Sequence, residues 1–201
     1  VKVRLIECVG FLIKDASGHV EEGKERMVRT PWSADAIPFH QAASLGTRKV
    51  IEDHSTIGLM ITTDGSFGEF PRENFPEAEE KTVQELKKQQ KPFLILVNSQ
   101  LPYKEETLKL AQELQKKYGV TAITANCEQL RREDITRILE NILYEFPVSQ
   151  IQFFVPKWVE MLSPDHELKK QILNQIREKM QKLCHIRDIT RDSVRLDGPY
   201  V

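Results

Sequence analysis

Glu7 and Gly10, in the run Val3-Arg4-Leu5-Ile6-Glu7-Cys8-Val9-Gly10, are the first residues whose spacing carries chemistry. An acid closing an apolar strand, with glycine three positions on, is how nucleotide-hydrolysing α/β domains set a carboxylate near a magnesium ion. Glu7 is the candidate carboxylate for that ion. Gly10 has no side chain to keep a terminal phosphate from the backbone N–H. Three later apolar runs also end in polar groups: Thr62-Thr63-Asp64, Asn98-Ser99 and Asn126. Each has a plainer reading, a strand that simply ends in a solvated polar residue. Carboxylates among neutral amides and hydroxyls suit a nucleotide with its metal.

The elements that must position these groups alternate along the chain. Residues 3–10 read as a strand buried on both faces, because Leu5, Ile6 and Val9 are apolar and mostly β-branched. Pro38 opens a helix reaching about residue 53, and 56–63 is a strand. A helix over 76–90, a strand over 92–98, and a helix over 103–118 closed by Gly119 follow. A strand over 120–125 and a helix over 132–143 complete the series. Strands separated by helices of this length give an α/β fold, a parallel sheet with helices on both faces and right-handed crossovers. Ligands of such sheets bind at the C-terminal ends of the strands, where the polar groups fall.

Residues 14–29 lack periodicity and read as a mobile loop, with Trp32 anchoring it to the body. Composition shifts after Phe146-Pro147. Residues 149–155 alternate as a half-exposed strand, and 165–184 form a charged helix with Leu168, Ile172, Ile176, Met180 and Leu183 on one face. The expected domains are a nucleotide-hydrolase part over 1–147 and the start of a second α/β domain over 148–201.

The bulk composition excludes several classes. The formal net charge of the 201 residues is −1, so no nucleic-acid partner is expected. Cys8, Cys127 and Cys184 are odd in number and lack CxxC spacing, which argues against zinc or a disulfide framework and fits a reducing cytoplasm. Cys8 and Cys127, at expected strand ends, read as small buried hydrophobes. No apolar run reaches membrane-spanning length. The chain opens on Val1 and ends at Val201 without a stop signal, so a piece of a longer protein is expected.

The strand order, Glu7-x-x-Gly10 and the asparagine ending the third strand resemble the C-terminal two-thirds of a translation-factor-type P-loop GTPase domain. That resemblance implies phosphate sensing at Glu7–Gly10, base reading at Asn98-Ser99-Gln100-Leu101 and base support near Asn126. In that family the fourth position of the base-reading motif is an acid that accepts two guanine N–H groups. Leu101 accepts nothing, so guanine would leave donors unpaired, and ATP is expected over GTP.

Longer stretches are more specific. They include Arg29-Thr30-Pro31-Trp32, Gly46-Thr47-Arg48-Lys49-Val50-Ile51, His54-Ser55-Thr56-Ile57-Gly58, Ile61-Thr62-Thr63-Asp64-Gly65 and Leu143-Tyr144-Glu145-Phe146-Pro147. Together they resemble the stage IV sporulation protein A family, the spore-coat morphogenetic ATPases of endospore-forming bacteria. The resemblance begins at the Walker B strand and runs into the middle domain. It implies ATP and Mg2+ as cofactors, and hydrolysis that drives self-assembly into a layer. That layer would lie on the forespore outer membrane, in the mother-cell cytoplasm. The implied partners are further copies, a small amphipathic membrane-anchoring peptide and other spore-coat proteins. The family's Walker A loop would lie upstream of Val1, leaving this stretch alone inactive. Glu7 stands where the family usually has Asp, which keeps a catalytically silent scaffold open beside the ATPase and the GTPase switch.

Other candidate groups have structural readings. Asp53, His54 and Ser55 are consecutive, whereas triad members converge from separate elements. His40 reads as a capping or surface group, Arg48 as a salt-bridge partner rather than an arginine finger, and Lys87, Lys88 and Lys91 as a solvated helix end. Thr62 and Thr63 are open between strand hydrogen bonding and nucleotide contact.

Overall fold

The computed structural model describes residues 3–21 and 23–189. The end of the expected second domain, residues 190–201, lies outside them. The chain divides into two compact units, Val1–Ile142 and Leu143–Val201.

The first unit opens with an irregular arm. Residues 3–10 form no strand, and Leu5 is 89% exposed. The expectation of a buried strand there is therefore corrected. Apolar β-branched residues express strand propensity only when a neighbour takes their backbone hydrogen bonds. Among the described residues the parallel sheet has three strands, and none of them pairs with this arm.

The expected mobile loop is instead built from two short ladders. β1 (Val20–Glu21) pairs antiparallel with β2 (Lys24–Glu25), and β3 (Met27–Val28) with β4 (Ile37–Pro38). Two-residue ladders are too short to display alternation, so periodicity does not reveal them. Helix α1 (Phe39–Lys49) follows and continues into a π-helical turn, Val50–His54. The Trp32 ring lies against Gly46 of α1, where a Cβ would stand 3.4 Å from it. Trp32 thus anchors the ladders as expected.

The central sheet is parallel, in the order β5 (Gly58–Thr63), β6 (Phe93–Asn98), β7 (Ala122–Ala125). The crossovers are α2 (Pro76–Lys88) and α3 (Glu105–Tyr118), and α4 (Arg132–Tyr144) follows β7. Strand β6 is buried on both faces, so its sequence is a continuous apolar run. Phe93, Ile95 and Val97 pack with Val83 and Leu86 of α2 and Ala111, Leu114 and Tyr118 of α3. Leu94 and Leu96 face the other way, onto Ile138 and Ile142 of α4. Each fully buried Leu or Ile there stabilises the sheet by about 2 kcal/mol. Gly119 ends α3 in the left-handed conformation, φ 72°, and its N–H donates to Gln115 O. The α/β fold class with helices on both faces of a parallel sheet is as expected.

The second unit contains α5 (Lys157–Glu160) and α6 (Glu167–Lys182) around Val159, Leu168 and Ile172. Residues 149–155, expected as a strand, are irregular, with Phe154 92% exposed. The only pairing this unit shows among the described residues is an isolated bridge between Pro147 and His185. An alternating run becomes a strand only when a partner strand lies alongside. The buried carboxylate of Glu145 accepts two hydrogen bonds from Arg187 Nη1, at 2.7 and 2.9 Å.

Candidate functional site at the sheet rim

The register of the sheet builds the site. Thr63 pairs with Asn98, and Asn98 with Ala125, so the last residues of β5, β6 and β7 form one row across the C-terminal rim. Parallel alignment follows from the βα crossovers, and it brings residues 35 and 27 positions apart to neighbouring strands.

Asn98 and Asn126 come together here. Asn98 Oδ1 accepts from Cys127 N at 2.9 Å, tying the end of β6 to the loop after β7. Asn126 Oδ1 accepts from Glu128 N at 3.0 Å and caps the short turn Cys127–Gln129. Ser99 is fully buried. Its N–H donates to Ala125 O, and its Oγ accepts from Leu101 N, each at 3.0 Å. Ser99 therefore shapes the turn from within. Leu101 is 63% exposed and presents an apolar side chain at the rim.

Glu7 and Gly10 are not brought to a strand end. Glu7 is exposed in the irregular arm, and Gly10 has a φ of 82°. The arm is tied to the rim further on: Lys14 N donates to Asn74 O, and Asn74 Nδ2 donates to Lys14 O, both near 3.0 Å. Asn74 lies in the loop between β5 and α2 and is buried.

Two sides of this arrangement bear on ATP and magnesium. On the base side, the Asn98 amide uses its oxygen internally and keeps its NH2 to offer an acceptor on a purine edge. Leu101 offers an apolar surface and no acceptor, which fits adenine rather than guanine. On the metal side, no group of three acidic, histidine or cysteine side chains among the described residues would cage an ion. Magnesium is usually held by one or two carboxylates with phosphate oxygens and waters; Glu7 supplies a carboxylate of that kind, from the exposed arm rather than from a strand end. Residues 18–24 carry a GxxxxGK spacing, but Glu25 stands where a hydroxyl would follow. That stretch forms the β1–β2 ladder rather than a strand–loop–helix cradle.

The other candidates are structural groups. Ser55 Oγ donates to Ile51 O and Asp53 lies 3.3 Å from Lys49, so no triad forms. His40 lies 3.8 Å from Glu25, and Arg48 3.6 Å from Glu85. Lys91 Nζ donates to Ser55 O. Thr63 Oγ1 accepts from Gly65 N. Cys127 is partly buried, which pushes its thiol pKa up. Cys8 is exposed, against the expectation that it would be buried with a strand end.

Two clusters at this rim escape a reading by sequence. Thr62 donates to the buried carboxylate of Glu79, which also receives both Arg72 guanidinium nitrogens, Nη2 at 2.8 Å. Asp64 accepts from Ser66 N at 3.0 Å and from Thr107 Oγ1 at 2.8 Å. The Asp-Gly-Ser turn was a readable Asx-turn signal for the Ser66 bond. Nothing local marks Arg72, Glu79 or Thr107, because their partners lie on other elements.

Comparison with known proteins supplies the rest. The profile described as "Stage IV sporulation protein A, ATPase domain" matches residues 1–147, and that of the middle domain matches residues 148–200. Stage IV sporulation protein A of Clostridioides difficile (strain 630) is 43% identical over 189 residues, covering 94% of this chain and 38% of the relative. The protein of that name from Bacillus subtilis (strain 168) is 41% identical over 191 residues, covering 95% and 39%. The one from Bacillus anthracis is 42% identical over the same span and shares. The chain thus spans about two fifths of the length of the relatives it matches, at 38% and 39%. No solved structure matches it.

Proposed function

We propose, from the premise that this chain belongs to the stage IV sporulation protein A family, that it serves sporulation as part of an ATP-hydrolysing, self-assembling protein of the spore coat. The match of both family profiles along almost the whole chain carries this reading. In it, residues 1–147 are part of the nucleotide-hydrolase domain and 148–201 open the middle domain. Bound magnesium would supply charge neutralisation on the phosphates, with Glu7 holding it through a water. Asn98, Ser99 and Asn126 would shape the turn that meets the base, Asn98 offering its NH2 to it. Gly10 would lend a backbone N–H to the last phosphate. Assembly would form the basement layer of the coat on the forespore outer membrane, within the mother-cell cytoplasm. A small amphipathic anchoring peptide and other coat proteins would bind that layer. No helix among the described residues is long and apolar enough to cross the membrane.

The full-length protein tests this. Wild type should hydrolyse ATP in preference to GTP and assemble on doing so, and Glu7→Ala should lose both. Assembly that persists in Glu7→Ala favours the second reading, a scaffold without turnover, which the glutamate in place of the family's usual aspartate supports.

A further inference from the structure

Asp64 is the hub of a hydrogen-bonded relay that reaches the Gln100 and Leu101 N–H groups of the turn after β6. Its Oδ1 accepts from both the N–H and the hydroxyl of Ser66, at 3.0 and 2.5 Å. With its proton so committed, Ser66 Oγ turns a lone pair outward and accepts from Gln100 N at 2.9 Å. Asp64 Oδ2 accepts from Thr107 Oγ1 at 2.8 Å, in the first turn of α3. The Thr107 proton being used there, Ser99 Oγ, 3.4 Å away, is the donor in the long contact between the two hydroxyls. Ser99 Oγ in turn accepts from Leu101 N at 3.0 Å. Ser99 and Thr107 are buried, at 0% and 2% exposure, so water does not substitute for these bonds. One anion thereby sets the direction of three hydroxyl protons.

We propose that Asp64 is a positioning residue for nucleotide selection: through Ser66, Thr107 and Ser99 it fixes the turn Asn98–Leu101 before the base arrives. The role rests on the reading that this turn meets the base. It differs from any direct contact, since both Asp64 oxygens face protein donors. A preformed turn binds without first being ordered, and its selectivity depends on Leu101 and the Asn98 amide being held in place. Burial raises the Asp64 pKa, and the hydrogen bonds it accepts, those from Ser66 foremost, outweigh it and hold the carboxyl below the usual range. The hub is therefore ionised at neutral pH.

Two variants of the full-length protein decide it. Asp64→Asn keeps the volume and replaces one acceptor with a donor, so Thr107 must turn its proton away from position 64. Ser66→Ala sits on an exposed loop, leaves the sheet core untouched, and removes the acceptor for Gln100 together with the hydroxyl donor to Asp64. In both, the Gln100 amide should exchange hydrogen about tenfold faster, the loss expected of one hydrogen bond. In Asp64→Asn the Leu101 amide should do the same. The KM for ATP should rise and the preference for ATP over GTP should fall, with kcat at saturation changed less. Unchanged exchange and unchanged base preference in Ser66→Ala and in folded Asp64→Asn overturn the role. A wild-type protein that binds no nucleotide overturns the function proposed above, and this role with it. Variants that match wild type in both readouts while wild type binds ATP overturn this role alone.

Discussion

Arg72 and Glu79 show how a single pair fixes the rim. Glu79 is 5% exposed, and both its oxygens are used by Arg72, with Thr62 donating as well. A buried carboxylate is costly without its cation. Arg72→Ala should therefore destabilise the protein by about 3 kcal/mol, and the double change with Glu79→Met should recover most of that, read by urea denaturation. Equal stability of the single and double variants would sink this account. Asp64 carries a pH dependence. Its folded pKa is depressed, so its contribution is fully present above the unfolded value of about 3.9 and is lost as pH falls through the folded value. Below about pH 4 the stability curve of Asp64→Asn should be flatter than that of wild type. Parallel acid limbs for the two would contradict the assignment.

At the scale of the element, two glycines are required for different reasons. A Cβ at Gly58 would stand 2.7 Å from Leu86 Cδ2 and 3.1 Å from Phe93 Cβ, so glycine there lets β5 approach α2 and β6. Leu86 is 2% exposed and has no room to yield. Gly119 has open space around it, and only its φ of 72° demands glycine. Gly58→Ala should cost about 2 kcal/mol through overpacking. Gly119→Ala should cost about 1 kcal/mol through backbone conformation alone. Urea midpoints rank the two, and a reversed order would refute the packing argument at Gly58.

For the molecule as a whole, order is unevenly distributed. The sheet and its helices form one unit, while the segment 148–156 at the start of the second runs without regular structure. Exposed backbone without hydrogen-bonded neighbours is where proteases cut first. Brief chymotrypsin treatment should cleave first after Phe153 or Phe154 and at Leu5, and leave the β5–α4 region intact. Early cuts within β6 or α3 would show that the α/β unit is not the stable body described here.

The sequence by itself determined the alternation of strands and helices from residue 38 onward, because buried parallel strands and amphipathic helices write their periods into the chain. The pattern also located the polar rim, since strand ends were legible from where apolar runs stop. Asn98 and Asn126 meet there as the alternation required. Only the tertiary structure decided the rest. It left 3–10 and 149–155 without strand partners, although their residue types favour strands, because pairing is a property of neighbours and not of the segment. It also brought Asp64 to Thr107 and Arg72 to Glu79. The parallel crossover carries distant residues to one rim, and no local spacing encodes which of them will share a proton or a charge.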